Sequence, residues 1–185
     1  MTSIDLPKPD APPAVALVRD FVNTTDHETG SDDLSTPAAL VRHLHEAGLC
    51  TASARATAAH LREAHLLRAG LRRALELNHE GGLAALPQLQ AVVRRLPVGL
   101  DWDDTGARLR ITAAGVPGAL AGIGLAAHRS TVDGTWARLK VCASDDCGWA
   151  YYDFSKNRSR QWCEYGCGNK IKTRAYRERQ RARSD

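Results

Sequence analysis

The chain has 185 residues, 43% hydrophobic and 25% charged, with 25 Lys+Arg against 21 Asp+Glu, a profile that fits one full globular domain and a small satellite. No run of about 18 apolar residues is present, which excludes a membrane-spanning helix. The opening MTSIDLPKPDAPP carries Asp5, Lys8, Asp10 and four prolines where a signal peptide needs an apolar core, so a cytoplasmic, nucleoid-associated protein is expected.

Residues 1–13 read as a flexible leader. From there the charge and the aromatic residues divide the chain. Residues 140–185 hold 11 Lys+Arg against 6 Asp+Glu, leaving 14 against 15 for residues 1–139, and eight of the ten aromatic residues lie at or beyond Trp136. Two cores of different make follow, one over 14–135 and one over 136–185.

The first core reads as mainly α. In STPAALVRHLHEAG, Ser35 or Thr36 caps a helix with Pro37 in its first turn, Leu40, Val41 and Leu44 at helical spacing, and Gly48 as a stop. Leu61, Ala64, Leu67, Leu71, Ala74 and Leu75 mark a second helix from Ala52 to about His79, closed by Gly81 and Gly82, with Gly70 a candidate bend. LAALPQLQAVVRRL gives a third helix around Pro87. VGLDWDDTGARLRIT alternates on both sides of DDTG, as a β-hairpin does. The apolar segment ALAGIGLAAH is expected to be a buried helix.

The cysteines carry the sharpest signal. Cys142, Cys147, Cys163 and Cys167 are spaced C-x4-C-x15-C-x3-C, two pairs suited to a tetrahedral four-thiolate zinc site. In a reducing compartment such clusters are metal ligands before they are disulfides. Gly148 and Gly168 follow the second cysteine of each pair, where a tight turn would aim amides at sulfur. The alternating WAYYDF between the pairs should be a strand, and a helix should follow. Knuckle, hairpin, second knuckle and helix is the order of a treble-clef finger. Four thiolates leave no open position, so the zinc is expected to be structural.

On that last helix, at 100° per residue, Lys170, Arg174, Arg177 and Arg181 form one basic stripe. Lys172, Arg179 and Arg183 form a second, and Ile171, Ala175 and Ala182 a thin apolar seam that could dock on the hairpin. Lys156, Asn157, Arg158 and Arg160 add polar and basic groups from the loop SKNRSRQ. Residues 156–183 thus hold ten bases against Glu164 and Glu178, a density suited to phosphate, with Arg and Asn able to reach base edges.

VCASDDCGWAYYDFSKNRSRQWCEYGCGNK resembles the CGNR zinc finger. The matching positions are Cys142, Cys147, Gly148, Trp149, Asp153, Ser155, Asn157, Arg158, Ser159, Arg160, Trp162, Cys163, Cys167, Gly168 and Asn169. Two departures stand out. Lys170 replaces the name-giving Arg, keeping its charge without its bidentate fork, and the second cysteine pair is spaced by three residues where four is commoner. Residues 14 to about 130 resemble the ABATE domain that precedes this finger in the family, most clearly at Phe21, Val22, Asn23 and Thr24. The resemblance implies a bacterial, stress-related transcription regulator whose first domain senses or binds something.

The expected protein is therefore a DNA-binding regulator without enzymatic activity. It would read duplex DNA with the finger, where a homodimer would multiply the few base contacts of one finger, and answer to an unknown small-molecule effector, with Asn23 and Thr24 at the lip of a ligand pocket. Two alternatives differ in class: an RNA- or ribosome-associated finger in which Trp149 or Tyr151 stacks on unpaired bases, and a zinc module that binds protein.

Overall fold

The computed structural model describes residues 10–80 and 84–181. Most of the expected leader, the expected helix stop at Gly81 and Gly82, the seam position Ala182 and the stripe position Arg183 lie outside the described residues. Within them are six α-helices and two antiparallel hairpins, the mainly α architecture expected.

Helix α1 (Pro13–Val22) is an element that periodicity alone does not separate from the leader. Pro13 at its first position has no amide to leave unpaired, and Val15, Val18, Phe21 and Val22 are buried along one face. Helix α2 (Pro37–Glu46) is capped by Thr36, whose hydroxyl accepts from the Ala39 amide at 3.1 Å. Helix α3 (Ala58–Glu80) begins six residues later than the apolar pattern suggests, because Thr57 caps it by accepting from the His60 amide at 3.2 Å. Gly70 serves packing: a side chain there would meet Leu89 Cβ of helix α4 (Pro87–Val93) at 2.8 Å, so its absence lets the two helices close together.

Strands β1 (Val98–Asp103) and β2 (Gly106–Ile111) pair from Val98↔Ile111 to Asp103↔Gly106, as the alternation foretells. Helix α5 (Gly115–Val132) then buries Val116, Leu120 and Ile123. It packs on α1 and, with α2 and α3, completes one core. No helix among the described residues is long and apolar enough to cross a membrane.

After a 3-10 turn at Trp136–Arg138, strands β3 (Leu139–Val141) and β4 (Ala150–Tyr152) form the second hairpin. Leu139, Val141 and Ala150 belong to the helical core, with β3 on α3 and β4 beside α1. A second cluster is made of Cys142, Tyr151, Cys163 and Cys167, flanked by Cys147, Trp149 and Trp162. The two cores thus meet across a single hairpin: alternate residues of β3 and β4 face alternate clusters, as the two-residue period of a strand requires. The chain closes its described part with helix α6 (Cys167–Arg181).

Candidate metal centre and nucleic-acid interface

The four expected cysteines converge. Their Sγ atoms all lie within 4.8 Å of one another, with Cys147–Cys163 and Cys163–Cys167 both at 3.6 Å. A tetrahedral ion at about 2.3 Å from each sulfur would set the sulfurs roughly 3.8 Å apart. Both the geometry and the donor chemistry fit a metal ion such as zinc.

Local structure explains the convergence. Gly148 turns the first knuckle at φ +59°, and a Cβ there would sit 2.8 Å from His27 Cδ2. The second knuckle turns at Gly166, φ +86°. Gly168, expected to make that turn, instead lies inside α6, where a Cβ would touch the Trp162 ring at 3.3 Å. The spacing C-x3-C lets Cys167 begin the helix directly, so the turn must fall between the two ligands. A thiolate there also faces the positive end of the helix dipole.

The protons on these thiols respond to their setting. Burial pushes Cys147 up to about 11 and Cys163 higher still. Burial also acts to raise Cys142, but hydrogen bonds from the amides of Cys163 and Ser144, together with those of the Cys163 and Cys147 thiols, hold it below its ordinary value. The Cys163 amide lies 3.5 Å from Cys142 Sγ. An ion would have to displace protons from such thiols, which makes its binding pH-dependent.

Of the basic positions, Lys170, Arg174, Arg177 and Arg181 line up on one open face of α6 together with Asn169 and Thr173. Every described side chain from Lys172 to Arg181 is exposed, so α6 projects from the thiol cluster into solvent. Ile171, half-buried, lines a cleft with Trp162 and Cys167. Lys170 also approaches Glu28 Oε1 at 3.7 Å, an exposed pair.

Lys156, Asn157 and Arg158 stand exposed on their own loop. Arg158 holds φ +52°, a conformation an ordinary side chain rarely takes. Arg160 is half-buried and makes contacts within the finger. Its Nε donates to Trp162 O at 2.7 Å, its guanidinium lies 5.5 Å from the centre of the Tyr151 ring, and its amide donates to Asp153 Oδ2 at 3.0 Å.

The residue that organises this loop is one the sequence does not disclose. Lys140, 4% exposed, donates from Nζ to Asp153 Oδ2 at 3.0 Å and to the carbonyls of Arg158 at 2.5 Å and Arg160 at 3.3 Å, while Asp153 is 0% exposed. Asp153 in turn accepts from the Ser155 amide at 2.8 Å. A lysine inside the apolar strand LKV, opposite a D-x-S on the paired strand's exit, is the signal that could have found it.

Asn23 and Thr24 are engaged in holding the fold. The Asn23 amide donates to Ala150 O at 2.9 Å and accepts from Ala150 N at 2.7 Å, pairing with β4 as a backbone would. Thr24 is buried, donating to Phe21 O at 2.8 Å and accepting from Arg68 Nη1 at 2.9 Å. Arg68 also grips Asp32 with two bonds of 2.7 and 2.6 Å. Asn23 does border a cavity of about 550 Å³ between α1 and the finger, whose walls include Arg19, Trp149, Tyr152, Phe154 and Tyr165. Tyr151, a candidate for base stacking on sequence, is buried with its hydroxyl on Arg160 O at 2.7 Å.

The helical part holds the finger by its backbone. Besides Asn23, Arg72 donates to the carbonyls of Gly148 and Val22, Asn78 reaches Trp136 O at 2.9 Å and Leu139 O at 2.7 Å, and His79 Nε2 bonds Val141 O.

Two family models match the chain. The ABATE model, described as "putative stress-induced transcription regulator", covers residues 15–143. The CGNR zinc finger model covers residues 138–180. Their overlap, 138–143, contains β3, the strand that both cores share. No curated protein matches the chain.

Proposed function

Because the chain belongs to the ABATE family, with a CGNR zinc finger over residues 138–180, we propose that it is a DNA-binding transcription regulator whose finger is held by a structural zinc ion. It performs no catalysis. The observation that carries this reading is the stripe of Lys170, Thr173, Arg174, Arg177 and Arg181 along one face of a projecting helix rooted in four thiols. Cations at that spacing meet successive phosphates, and a projecting helix about 10–12 Å wide enters a major groove. Lys156, Asn157 and Arg158 supply a second DNA-facing loop, fixed by Lys140. Cys142, Cys147, Cys163 and Cys167 hold the zinc, which supplies a cross-link.

Selection of zinc-loaded protein against genomic duplexes should recover a shared motif that disappears on chelation. On that motif, Arg177→Ala should weaken binding and flatten the log-log salt dependence by about one unit, as the removal of one phosphate-neutralising cation requires. An unchanged slope would remove the phosphate assignment.

A second reading rests on the aromatic cavity. Trp149 and Tyr165 meet edge to face with centroids 5.6 Å apart, and Tyr165 and Phe154 are exposed, so unpaired RNA bases could stack there. Single-stranded RNA competing better than duplex DNA would favour it. Should the regulator take an effector, the same cavity is the place for it, since it lies where α1 meets β4.

A further inference from the structure

The β1–β2 hairpin has two faces of opposite character. Asp101 and Arg110 pair across one face at 2.6 Å, and Asp103 and Arg108 at 2.8 Å. By the two-residue period and the observed register, Val98, Leu100, Trp102, Ala107, Leu109 and Ile111 all point to the other. There Trp102 is 80%, Leu100 69%, Leu109 41% and Ile111 37% exposed. These four leave roughly 500 Å² uncovered, toward the upper end of what a monomer's largest apolar patch shows. Leu100 stands directly opposite Leu109, and Trp102 opposite Ala107. The patch is therefore contiguous.

We infer that this face is a homodimer interface, covered by the same face of a second copy of the chain. Two such faces, fully covered, would remove at most roughly 1,000 Å² from water, the area at which specific interfaces begin. The charge layout selects the geometry. β1 carries Asp101 and Asp103, whereas β2 carries Arg108 and Arg110. Joining two copies edge to edge about a two-fold axis would line aspartates against aspartates or arginines against arginines. Stacking the apolar faces keeps each carboxylate with its own guanidinium, on the solvent side. The patch itself offers no charge to an acidic or basic partner, but it is complementary to itself, as a two-fold interface must be. Trp102, at the turn end of the patch and its most exposed member, is the residue type on which such interfaces concentrate their energy.

The test is sedimentation of the full, zinc-loaded chain without nucleic acid, over about a hundredfold range of concentration. Concentration-dependent dimers are expected. Trp102→Ser and Leu100→Glu, both at exposed positions, should weaken dimerisation about tenfold or more, while Val132→Ser, equally exposed but on α5, should leave it unchanged. A wild-type chain that stays monomeric throughout overturns the inference, and so does a dimer indifferent to both hairpin variants. Neither outcome touches the DNA-binding reading, because no DNA is present.

Discussion

Lys140 is the single residue whose chemistry departs furthest from its surroundings. An ammonium in the middle of an apolar strand is tolerated because Asp153 and two carbonyls satisfy its three protons. Lys140→Met would leave Asp153 buried with its countercharge gone, at a cost of about 3 kcal/mol. Chemical denaturation should register that loss, and Lys140→Met with Asp153→Asn should recover part of it; a loss under about 1 kcal/mol would show the pair to be incidental. Asp32 makes a pH-dependent contribution of the ordinary carboxylate kind. Its bonds from Arg68 hold it below the usual carboxylate value of 3.8. The contribution is fully present above the unfolded value and is lost as pH falls through the folded one. Asp32→Asn should therefore lower stability by about 1 kcal/mol at neutral pH, with the gap to wild type closing below about pH 4. A gap that persists into acid would assign the effect to packing.

Helix α6 is an element that cannot stand alone. A helix of 15 residues is marginal in water, and Lys170/Arg174 and Arg177/Arg181 place like charges at i,i+4, where they repel. Its stability must come from its root, so chelation of the proposed zinc ion, or Cys163→Ser, should remove the helical circular dichroism of this segment. A finger that keeps that signal after chelation would show the thiols to be a packed cluster without a structural ion. This element is legible in the sequence because cysteine spacing and basic periodicity are local signals. The hairpin β1–β2 is legible for the same reason, from alternation either side of a turn, but its consequence is not: alternation says which residues share a face, never whether anything covers it. Gly168 illustrates a third case. Its position after Cys167 looks equivalent to that of Gly148 after Cys147, yet the first knuckle returns into a strand and the second runs into a helix, so only Gly148 turns the chain.

At the scale of the whole molecule, charge and aromatic content divide the chain near residue 136, whereas the packing carries the helical core across that point into β3 and β4. Composition cannot reveal this, because Leu139, Val141 and Ala150 contribute to the first core through alternate positions of strands whose other side chains serve the finger. The polar grip is equally invisible in sequence, since Asn23 and Ala150 are 127 residues apart. The shared hairpin makes a thermodynamic prediction. If the ion stabilises a hairpin that also completes the helical core, its binding energy is felt by both parts, by the linkage RT ln(1 + [L]/Kd). Thermal unfolding followed by far-ultraviolet dichroism and release of zinc to a coloured chelator should then coincide in one transition, and free zinc in excess should raise its midpoint. Asn23→Ala, which removes the amide pairing with Ala150 from the opposite part of the chain, should accelerate zinc loss to the chelator severalfold although it touches no ligand. Two separate transitions, or a rate of zinc loss unchanged in Asn23→Ala, would mean that the finger folds independently of the helices that hold it.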